Sequence, residues 1–539
     1  MTDPFVRAWS LRLLRRLEGV RNAGNSGPLW ADLGQFQAVA AAAAVRAGFA
    51  TELRVPVYRG TAWLPATGVV SGLSQRRWSR AVVRADPAGA VVRGEGVEIR
   101  LPGPGQLSRP AQGWRPVHSL LGGVPQPDIQ MPVPVVRLDV VTPYRDMVAA
   151  VRSPGRVSGD QLTTWIRRVN GAWELLVREV PADAAALAGL VTCLVPRPVP
   201  DGRGSQVASA SSADAFGAVT MALPSDIAGT AAVLVHETRH QQLNAVLCMV
   251  PLLDASSGGT EAIDPRKPRL HYSPWRSAPR PAHGLIHGIF AFAGVAGFWR
   301  SHRQVATASE ARRAHFEFAV LREQLWDATG VLLDSGELTE AGLVFTGEIA
   351  GIVEHWSRER VPAESARLAR DYVSTRRAMW RVRHMAVGRQ AGQRIAVAWR
   401  FGKSPPPMPS AVLRPRLDTT HRDSRRMLTE LYLRTPVGFD RLRRGAQRSG
   451  DHVRAAEAAA IVGDYTEAAR CYARLRAADP ADPEAWIGAA LASPETEPSS
   501  SSGLLLSRPE VVAGAYEAIV EAGAPAPDPV LLTEWLASG

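Results

Sequence analysis

The sequence predicts an α+β protein that is predominantly helical, and three observations predict this class. Residues 53–145 contain short β-rich runs separated by Gly and Pro. Residues 303–400 have the pattern of long helices. Between them, VLVHETRHQQLNA (233–245) has the pattern of a helix that carries an HExxH motif in a mixed α/β core. The 539 residues are enough for two to four domains, and we expect three: 1–150, helical and then β-rich; 151–400, with the HExxH motif; and 411–539, helical.

The remaining elements are predicted from composition and spacing. Residues 5–50 should form helices, including an Ala-rich one. Residues 158–180 place apolar side chains at three- and four-residue spacing, which predicts an amphipathic helix whose stripe belongs to the core. Two apolar runs, 189–196 and 216–224, are strand candidates, and KSPPPMPS (403–410) is a linker or a sharp turn.

The C-terminal region carries a repeat-like pattern. Residues 461–486 resemble one tetratricopeptide repeat, with small, aromatic and terminating residues near the positions of that motif. A single repeat cannot bury its own apolar face. We therefore expect degenerate neighbours to complete a small helical stack, with a helical hairpin docked on the body as the alternative.

The motif at 236–240 is typical of a metal site. His236 and His240 stand four residues apart on one helix face, so both imidazoles can reach a single ion. Glu237 points to the side, where it can act as a base or support a ligand. The preceding run, residues 227–235, is almost wholly apolar and should bury the helix.

A metal site needs a third protein ligand, and the histidine distribution suggests its source. Of the 12 histidines, seven fall between residues 236 and 315. His287 lies in the apolar run 283–299, where an imidazole is costly unless it has a partner, so we expect it to be the third ligand. Three carboxylates on a later helix remain open as alternatives, Glu310, Glu317 and Glu323, whereas Glu261 lies in a Ser/Gly-rich loop.

Two blocks of the sequence, VLVHETRHQQLNAVLCMVPLLD (233–254) and HYSPWRSAPRPAHGLIHGIFAFAGVAGFW (271–299), closely resemble the HEXXH-motif domain family. Members of this family are 2-oxoglutarate-dependent HExxH-type peptide β-hydroxylases of peptide natural-product biosynthesis. The resemblance covers roughly residues 120–350, and ELTEAGLVF (337–345) looks like a further family element. It implies a dioxygenase that uses Fe(II) and 2-oxoglutarate to hydroxylate the β-carbon of a residue in a ribosomally made precursor peptide.

The resemblance also implies roles for single residues. His236, His240 and His287 would hold the iron, with positions left open for 2-oxoglutarate and dioxygen. The far carboxylate of 2-oxoglutarate requires a cation, and Arg276 and Arg280 match the arginines of the family.

One segment departs from the family pattern. In VRLDVVTPYRD (136–146), Val140, Val141 and Thr142 replace the expected acidic residues. If this strand touches substrate, its specificity is altered here.

Two other functions remain open: a zinc-dependent HExxH metallopeptidase, in which Glu237 deprotonates metal-bound water, and a non-catalytic peptide-binding scaffold. The net charge of +12 comes almost entirely from arginine, because Lys267 and Lys403 are the only lysines. The sequence-wide Arg, Ala, Gly and Pro content is typical of GC-rich coding, so we do not expect nucleic acid as a partner. The basic region 357–446 gives nucleic acid partial support, but an acidic leader peptide as its partner fits this region equally well.

Cysteine use and the apolar runs indicate the compartment. The three cysteines are far apart, which suggests a reducing cytoplasm and no thiolate metal site. The longest apolar run, near 285–299, is shorter than the ~20 residues of a membrane helix. We expect a soluble, cytoplasmic protein whose partners are a precursor peptide and a companion peptide-modifying enzyme.

Overall fold

A computed structural model describes residues 3–20, 27–122, 133–145, 151–197, 209–254, 269–414, 424–493 and 501–538. The described chain divides into two compact units, one that reaches Val246 and one that begins at Leu247. The described residues contain 18 α-helices and mostly antiparallel sheet, so the prediction of a predominantly helical α+β protein is confirmed. The domain limits predicted near residues 150 and 400 stay predictions.

The described residues of the first unit contain five α-helices and twelve strands. The helices are α1 (Pro4–Leu17), α2 (Leu29–Ala47), α3 (Gly159–Glu179), α4 (Pro181–Leu190) and α5 (Ile227–Leu247). The strands are β1 (Thr51–Tyr58), β2 (Thr61–Leu64), β3 (Gly68–Ser71), β4 (Trp78–Asp86), β5 (Gly89–Arg93), β6 (Glu98–Leu101), β7 (Trp114–Pro116), β8 (His118–Leu121), β9 (Val136–Leu138), β10 (Cys193–Pro196), β11 (Ser209–Ser211) and β12 (Ala218–Met221).

Local sequence signals set these helix ends. The Asp3 side chain accepts hydrogen bonds from the first backbone amides of α1, and Gly48 ends α2 in a left-handed conformation with φ of 64°. Helix α3 begins with a reciprocal cap between Ser158 and Gln161. The predicted amphipathic stripe of α3 is core, because Trp165 and three other apolar residues on that stripe are buried.

Strands β1 to β7 form a seven-stranded antiparallel sheet in the order β6-β5-β4-β1-β2-β3-β7. Helix α2 packs on it, and small residues such as Ala38 and Ala41 meet Val55 and Val83 in the core. A second, mixed sheet has the order β11-β12-β10-β9-β8, in which β10 runs parallel to both β9 and β12. In the sequence, β12 is followed by α5.

A second core in this unit contains the three residues Val140, Val141 and Thr142 of the segment 136–146. Val140 and Val141 are buried in a cluster that includes Trp9. Thr142 is wholly buried, and its backbone amide donates to the Asp139 carboxylate at 2.8 Å. All three residues therefore contribute to packing and to a buried turn.

The second unit contains thirteen helices and two short β-ribbons among its described residues. The helices are α6 (Ala282–Val305), α7 (Ala308–Leu333), α8 (Glu340–Ser357), α9 (Ala363–His384), α10 (Arg389–Arg400), α11 (Ser424–Arg434), α12 (Pro436–Ser449), α13 (His452–Val462), α14 (Tyr465–Ala478), α15 (Pro483–Leu491), α16 (Ser501–Ser507), α17 (Pro509–Glu521) and α18 (Pro529–Ala537). One ribbon pairs β13 (Leu270–His271) with β14 (Arg280–Pro281), and the other pairs β15 (Met385–Val387) with β16 (Ala411–Leu413).

Short capped helices dominate the C-terminal part of this unit. Asp451, Asp464 and Asp482 each cap the helix that follows, and Gly463 turns the chain between α13 and α14 with φ of 82°. The likeness to a tetratricopeptide repeat stays a prediction.

Helix α6 is longer than the apolar run from which it was predicted. Among the described helices it is the one long and apolar enough to cross a membrane, and 56% of its most apolar 18-residue window is buried. Core helices of soluble proteins meet the same length and composition criteria, so this single helix is weak evidence for a membrane span.

Gln241 joins α5 to the mixed sheet of the first unit. Its Oε1 accepts from Gly217 N at 3.4 Å, its Nε2 donates to Ala218 O at 3.3 Å, and the residue is wholly buried. The next glutamine, Gln242, is only half-buried.

We expect Gln241→Ala to destabilise the first unit by about 2–3 kcal/mol, because two buried hydrogen bonds are lost. The unfolding transition should fall by about 5–10 °C in scanning calorimetry. Gln242→Ala is the matched control and should cost less than about 1 kcal/mol. Equal effects of the two variants would contradict the assigned role of Gln241.

Candidate metal centre

Helix α5 presents its two histidines on its less buried side. Val233, His236, His240 and Asn244 follow one another at helical spacing, and all four are half-buried. Residues on the adjoining side are buried, and Glu237 is only 1% exposed. The two histidines therefore lie on one side of α5, and Glu237 lies on the adjoining buried side, as expected.

The geometry of the histidine pair fits a metal. The two Nε2 atoms lie 3.1 Å apart, and the rings meet edge to face with centroids 4.6 Å apart. Two imidazole nitrogens about 2.1 Å from one ion would have this separation at an angle of about 95°, close to the octahedral value. The same separation is compatible with an N–H···N hydrogen bond between one protonated and one unprotonated Nε2. The distance alone therefore fits two ligands of one ion and also a hydrogen-bonded histidine pair.

Arg239, the residue between Glu237 and His240 that faces α4, fixes the rotation of α5. Its guanidinium contacts the Asp183 carboxylate at 2.7 Å. Burial raises the pKa of Asp183, and the charge of Arg239 opposes that rise. Together with Gln241, this ion pair keeps the histidine side of α5 oriented.

The second unit carries another histidine pair at the start of α6. His283 and His287 are four residues apart, and their ring centroids are 4.6 Å apart. Burial lowers the pKa of His283, which favours its neutral imidazole. Sequence reasoning selected His287 and overlooked His283, although the H-x-x-x-H spacing is the same as in the first motif. The role of His287 as third ligand stays a prediction.

Arg280 and Arg276 create a positive region beside the first turn of α6. Arg280 is half-buried and lies against Gly284, where a Cβ would be 3.4 Å from the arginine Cδ. Burial lowers the pKa of Arg280, and the neighbouring charge of Arg276 lowers it further. Arg276 itself is exposed. The N-terminal end of α6 adds its own positive potential, so this region is suited to an anion. Arg280 is the better placed of the two cations, because it is half-buried beside that end.

Helix α9 holds the loop that carries both arginines. Arg376 Nε donates to Pro274 O at 3.2 Å, and His384 Nε2 donates to Ser277 O at 2.6 Å. The ring of Trp380 contacts that of Tyr272, with centroids 5.0 Å apart. The loop is therefore attached to α9 at three points.

Packing against α6 fixes the loop from its other side. Trp275 stacks on Phe292 with centroids 4.6 Å apart and an interplanar angle of 16°. Gly288 permits this, because a Cβ there would be 2.8 Å from the Trp275 ring. On the β13–β14 ribbon, His271 is opposite Arg280, and its Nε2 lies within hydrogen-bond distance of the Glu337 carboxylate. Sequence reasoning missed this His271–Glu337 pair.

The carboxylates considered as alternative third ligands are paired with arginine, exposed, or raised in pKa. Glu317 is paired with Arg313 and Arg426, and Glu310 is exposed. Burial raises the pKa of Glu323 to about 7, which weakens it as an anionic ligand at neutral pH. Glu261 lies outside the described residues. Among those that are described, no three His, Cys, Asp or Glu side chains form a group that could hold a metal ion.

No known protein family matches the chain, and no curated protein sequence is similar enough to it to count as a match. The interpretation of the site therefore depends on the residues described above.

We expect the full chain to bind Co²⁺ through the His236–His240 pair, as measured by absorption spectroscopy under anaerobic conditions. His236→Ala and His240→Ala should each weaken binding by at least about 100-fold, because half of the preformed pair is lost. His355→Ala is the matched control, since that histidine is exposed on α8. Co²⁺ binding that survives both α5 substitutions would exclude this pair as the metal centre.

Proposed function

We propose that the protein is an iron- and 2-oxoglutarate-dependent dioxygenase that hydroxylates the β-carbon of a residue in a ribosomally made precursor peptide. The observation that carries this proposal is the 3.1 Å separation of the Nε2 atoms of His236 and His240. It supports a metal held by neutral nitrogen ligands, which suits ferrous iron as well as zinc. The resemblance to the HEXXH-motif domain family supplies the choice of iron and the type of reaction.

In the proposal, His236 and His240 would hold Fe(II), with His287 as the third ligand that the family resemblance implies. Iron with 2-oxoglutarate and dioxygen supplies the oxidising power to replace a C–H hydrogen by a hydroxyl group, while 2-oxoglutarate becomes succinate and carbon dioxide. The residues of this chain bind and orient the reactants. Arg280, supported by Arg276, receives the far carboxylate of 2-oxoglutarate, because a buried anion requires a fixed countercharge.

Glu237 has a supporting role in this proposal. Its side chain is almost wholly buried on α5, beside the histidine face. A carboxylate that supports ligating imidazoles can orient them and raise their basicity, and this is the role that we propose for Glu237. A hydrolytic base would instead have to accept a proton from metal-bound water in every turnover.

The proposed substrate and location follow from the same resemblance. The partner is a precursor peptide, and a companion peptide-modifying enzyme is a further candidate. The wide spacing of the cysteines and the resemblance to a biosynthetic family support a reducing cytoplasm.

The decisive test is succinate release by anaerobically iron-loaded protein on adding 2-oxoglutarate, oxygen and a precursor peptide encoded nearby. We expect peptide mass to rise by one oxygen atom per turnover. Glu237→Gln should retain iron and measurable succinate release, because no step needs Glu237 as a hydrolytic base. A zinc-loaded protein that cleaves peptides, and loses that cleavage in Glu237→Gln, would replace the proposal by a metallopeptidase.

We expect Arg280→Met to weaken 2-oxoglutarate binding by about 2 kcal/mol, the scale of a hydrogen bond to a charged group. Calorimetric titration of the iron-loaded protein without oxygen measures this affinity. Arg276→Met is the matched control and should cost less than about 1 kcal/mol, because that arginine is exposed. Iron content should be unchanged in both variants. Normal 2-oxoglutarate affinity in Arg280→Met would place the carboxylate site elsewhere.

A further inference from the structure

Helix α2 is apolar on both of its sides. On its inner side, Ala38 and Ala41 are buried against the seven-stranded sheet. Asp32 and Arg46 are the only charged residues among the 19 of this helix, and the Asp32 side chain is buried and paired with Arg16. A helix that is apolar all round is normally buried all round. The outer side of α2 therefore has the composition of an interface.

The outer side of α2 presents six apolar residues in a seven-residue repeat. They are Leu29, Leu33, Phe36, Ala40, Ala43 and Ala47, and all six are exposed. Their spacing alternates between four and three residues, which keeps them in one row along the helix. We call this row the α2 seam. It has the spacing of the a and d positions of a coiled coil, and such a seam packs against a second helix.

The α2 seam is large at one end and small at the other. Leucine and phenylalanine occupy its first three positions, and alanine occupies its last three. If a second copy of α2 lies antiparallel, with a two-fold axis next to Ala38, every large residue faces an alanine of the other copy. The three pairs are Leu29 with Ala47, Leu33 with Ala43, and Phe36 with Ala40. A single register therefore satisfies the whole seam with side chains of complementary size.

Charge also favours a second copy over a charged partner. None of the six seam residues is charged, and Gln37 at its edge accepts a hydrogen bond from the Arg54 backbone amide at 2.9 Å. An acidic or basic peptide would find no countercharge on the seam. The chain carries a net charge of +12, so two copies repel each other wherever their arginines meet. Two α2 seams can meet without this repulsion.

The area available limits the strength of the contact. The 19 residues of α2 make the helix about 28 Å long. Phe49, which is 68% exposed, follows the seam directly, and Leu14 and Leu17 are exposed on α1. Helix α1 contacts α2 through Trp9 and Phe36, whose ring centroids are 4.9 Å apart. A contact of this extent lies at the small end of specific interfaces, so we expect a reversible association in the micromolar range.

We propose that two copies of this chain form a reversible dimer in which the α2 seams pack antiparallel about a two-fold axis. The interface is isologous, because the same patch of each copy contacts the other. The proposal goes beyond the proposed function and does not depend on it, since none of the residues assigned to iron or to 2-oxoglutarate lies on α2.

Sedimentation velocity of the full chain at about 1 to 100 µM tests for the dimer, because this range brackets a micromolar dissociation constant. We expect the average mass to rise with concentration toward twice that of the monomer. Added sodium chloride should strengthen the association, because it screens the repulsion between two positively charged copies. A chain that stays monomeric over the whole range would overturn the proposal.

Two substitutions test the antiparallel register. Leu33→Lys and Ala43→Glu each place an unpaired charge in the seam, and each should weaken self-association by at least about tenfold. Both positions are exposed in a single copy, so the circular dichroism spectrum should not change. When the two variants are mixed, the new ammonium and carboxylate groups face each other across the pair, and association should recover. If both variants dissociate and their mixture does not recover, the register is wrong and the proposal fails.

Val344→Glu is the matched control, because it makes the same kind of change at a 63% exposed apolar residue of α8. It should leave the dimer unchanged. A dimer that survives both α2 substitutions and dissociates in Val344→Glu would move the interface to α8 and overturn the proposal. Vesicles of phosphatidylglycerol address a different class of partner. A monomeric chain that binds them, and no longer does so in Ala43→Glu, would assign the α2 seam to a membrane surface instead.

Discussion

The ion pairs of helix α9 are the constraint on which the second unit depends. Arg381 donates two hydrogen bonds to Glu510, at 2.6 and 2.9 Å, and the Glu510 side chain has no exposure to solvent. Removing one partner of such a pair leaves a buried charge and typically costs about 3–5 kcal/mol. Arg377 pairs with Asp327 and Arg383 with Glu484, so α9 is tied to α7, α15 and α17. The arginines of α9, part of the basic region that suggested an external partner, thus pair with carboxylates of the same chain. The loop that carries Arg276 and Arg280 is attached to α9 and is therefore held in place by the same pairs.

The histidine pair of α5 is oriented by a different device in the first unit. Polar residues inside the HETRH segment and just after it bind neighbouring elements: Arg239 binds Asp183, and Gln241 binds the backbone at β12. A helix on a sheet is free to rotate if only apolar packing holds it, whereas directional contacts allow one orientation. The ring geometry of His236 and His240 follows from that orientation and from their four-residue spacing.

Local and periodic features of the fold were predictable from the sequence. The helix that bears the HExxH motif, the amphipathic helix α3 and the β-rich segment all have strong periodicity or turn signals, and they appear close to the expected limits. Contacts between distant residues were not predictable. His271 and Glu337 are 66 residues apart, and no pattern in either segment specifies their meeting. The His283–His287 pair differs from this case, because its four-residue spacing is present in the sequence itself.

The near absence of lysine has a consequence for the chemistry of the molecule in solution. Its internal ion pairs use guanidinium groups, which keep their charge far into alkaline solution, whereas amines would begin to lose theirs near pH 10. The contacts of α9 with Asp327 and Glu510 should therefore persist in strongly alkaline buffers. Reagents that acylate amines would meet only two lysine side chains and would leave the whole network intact.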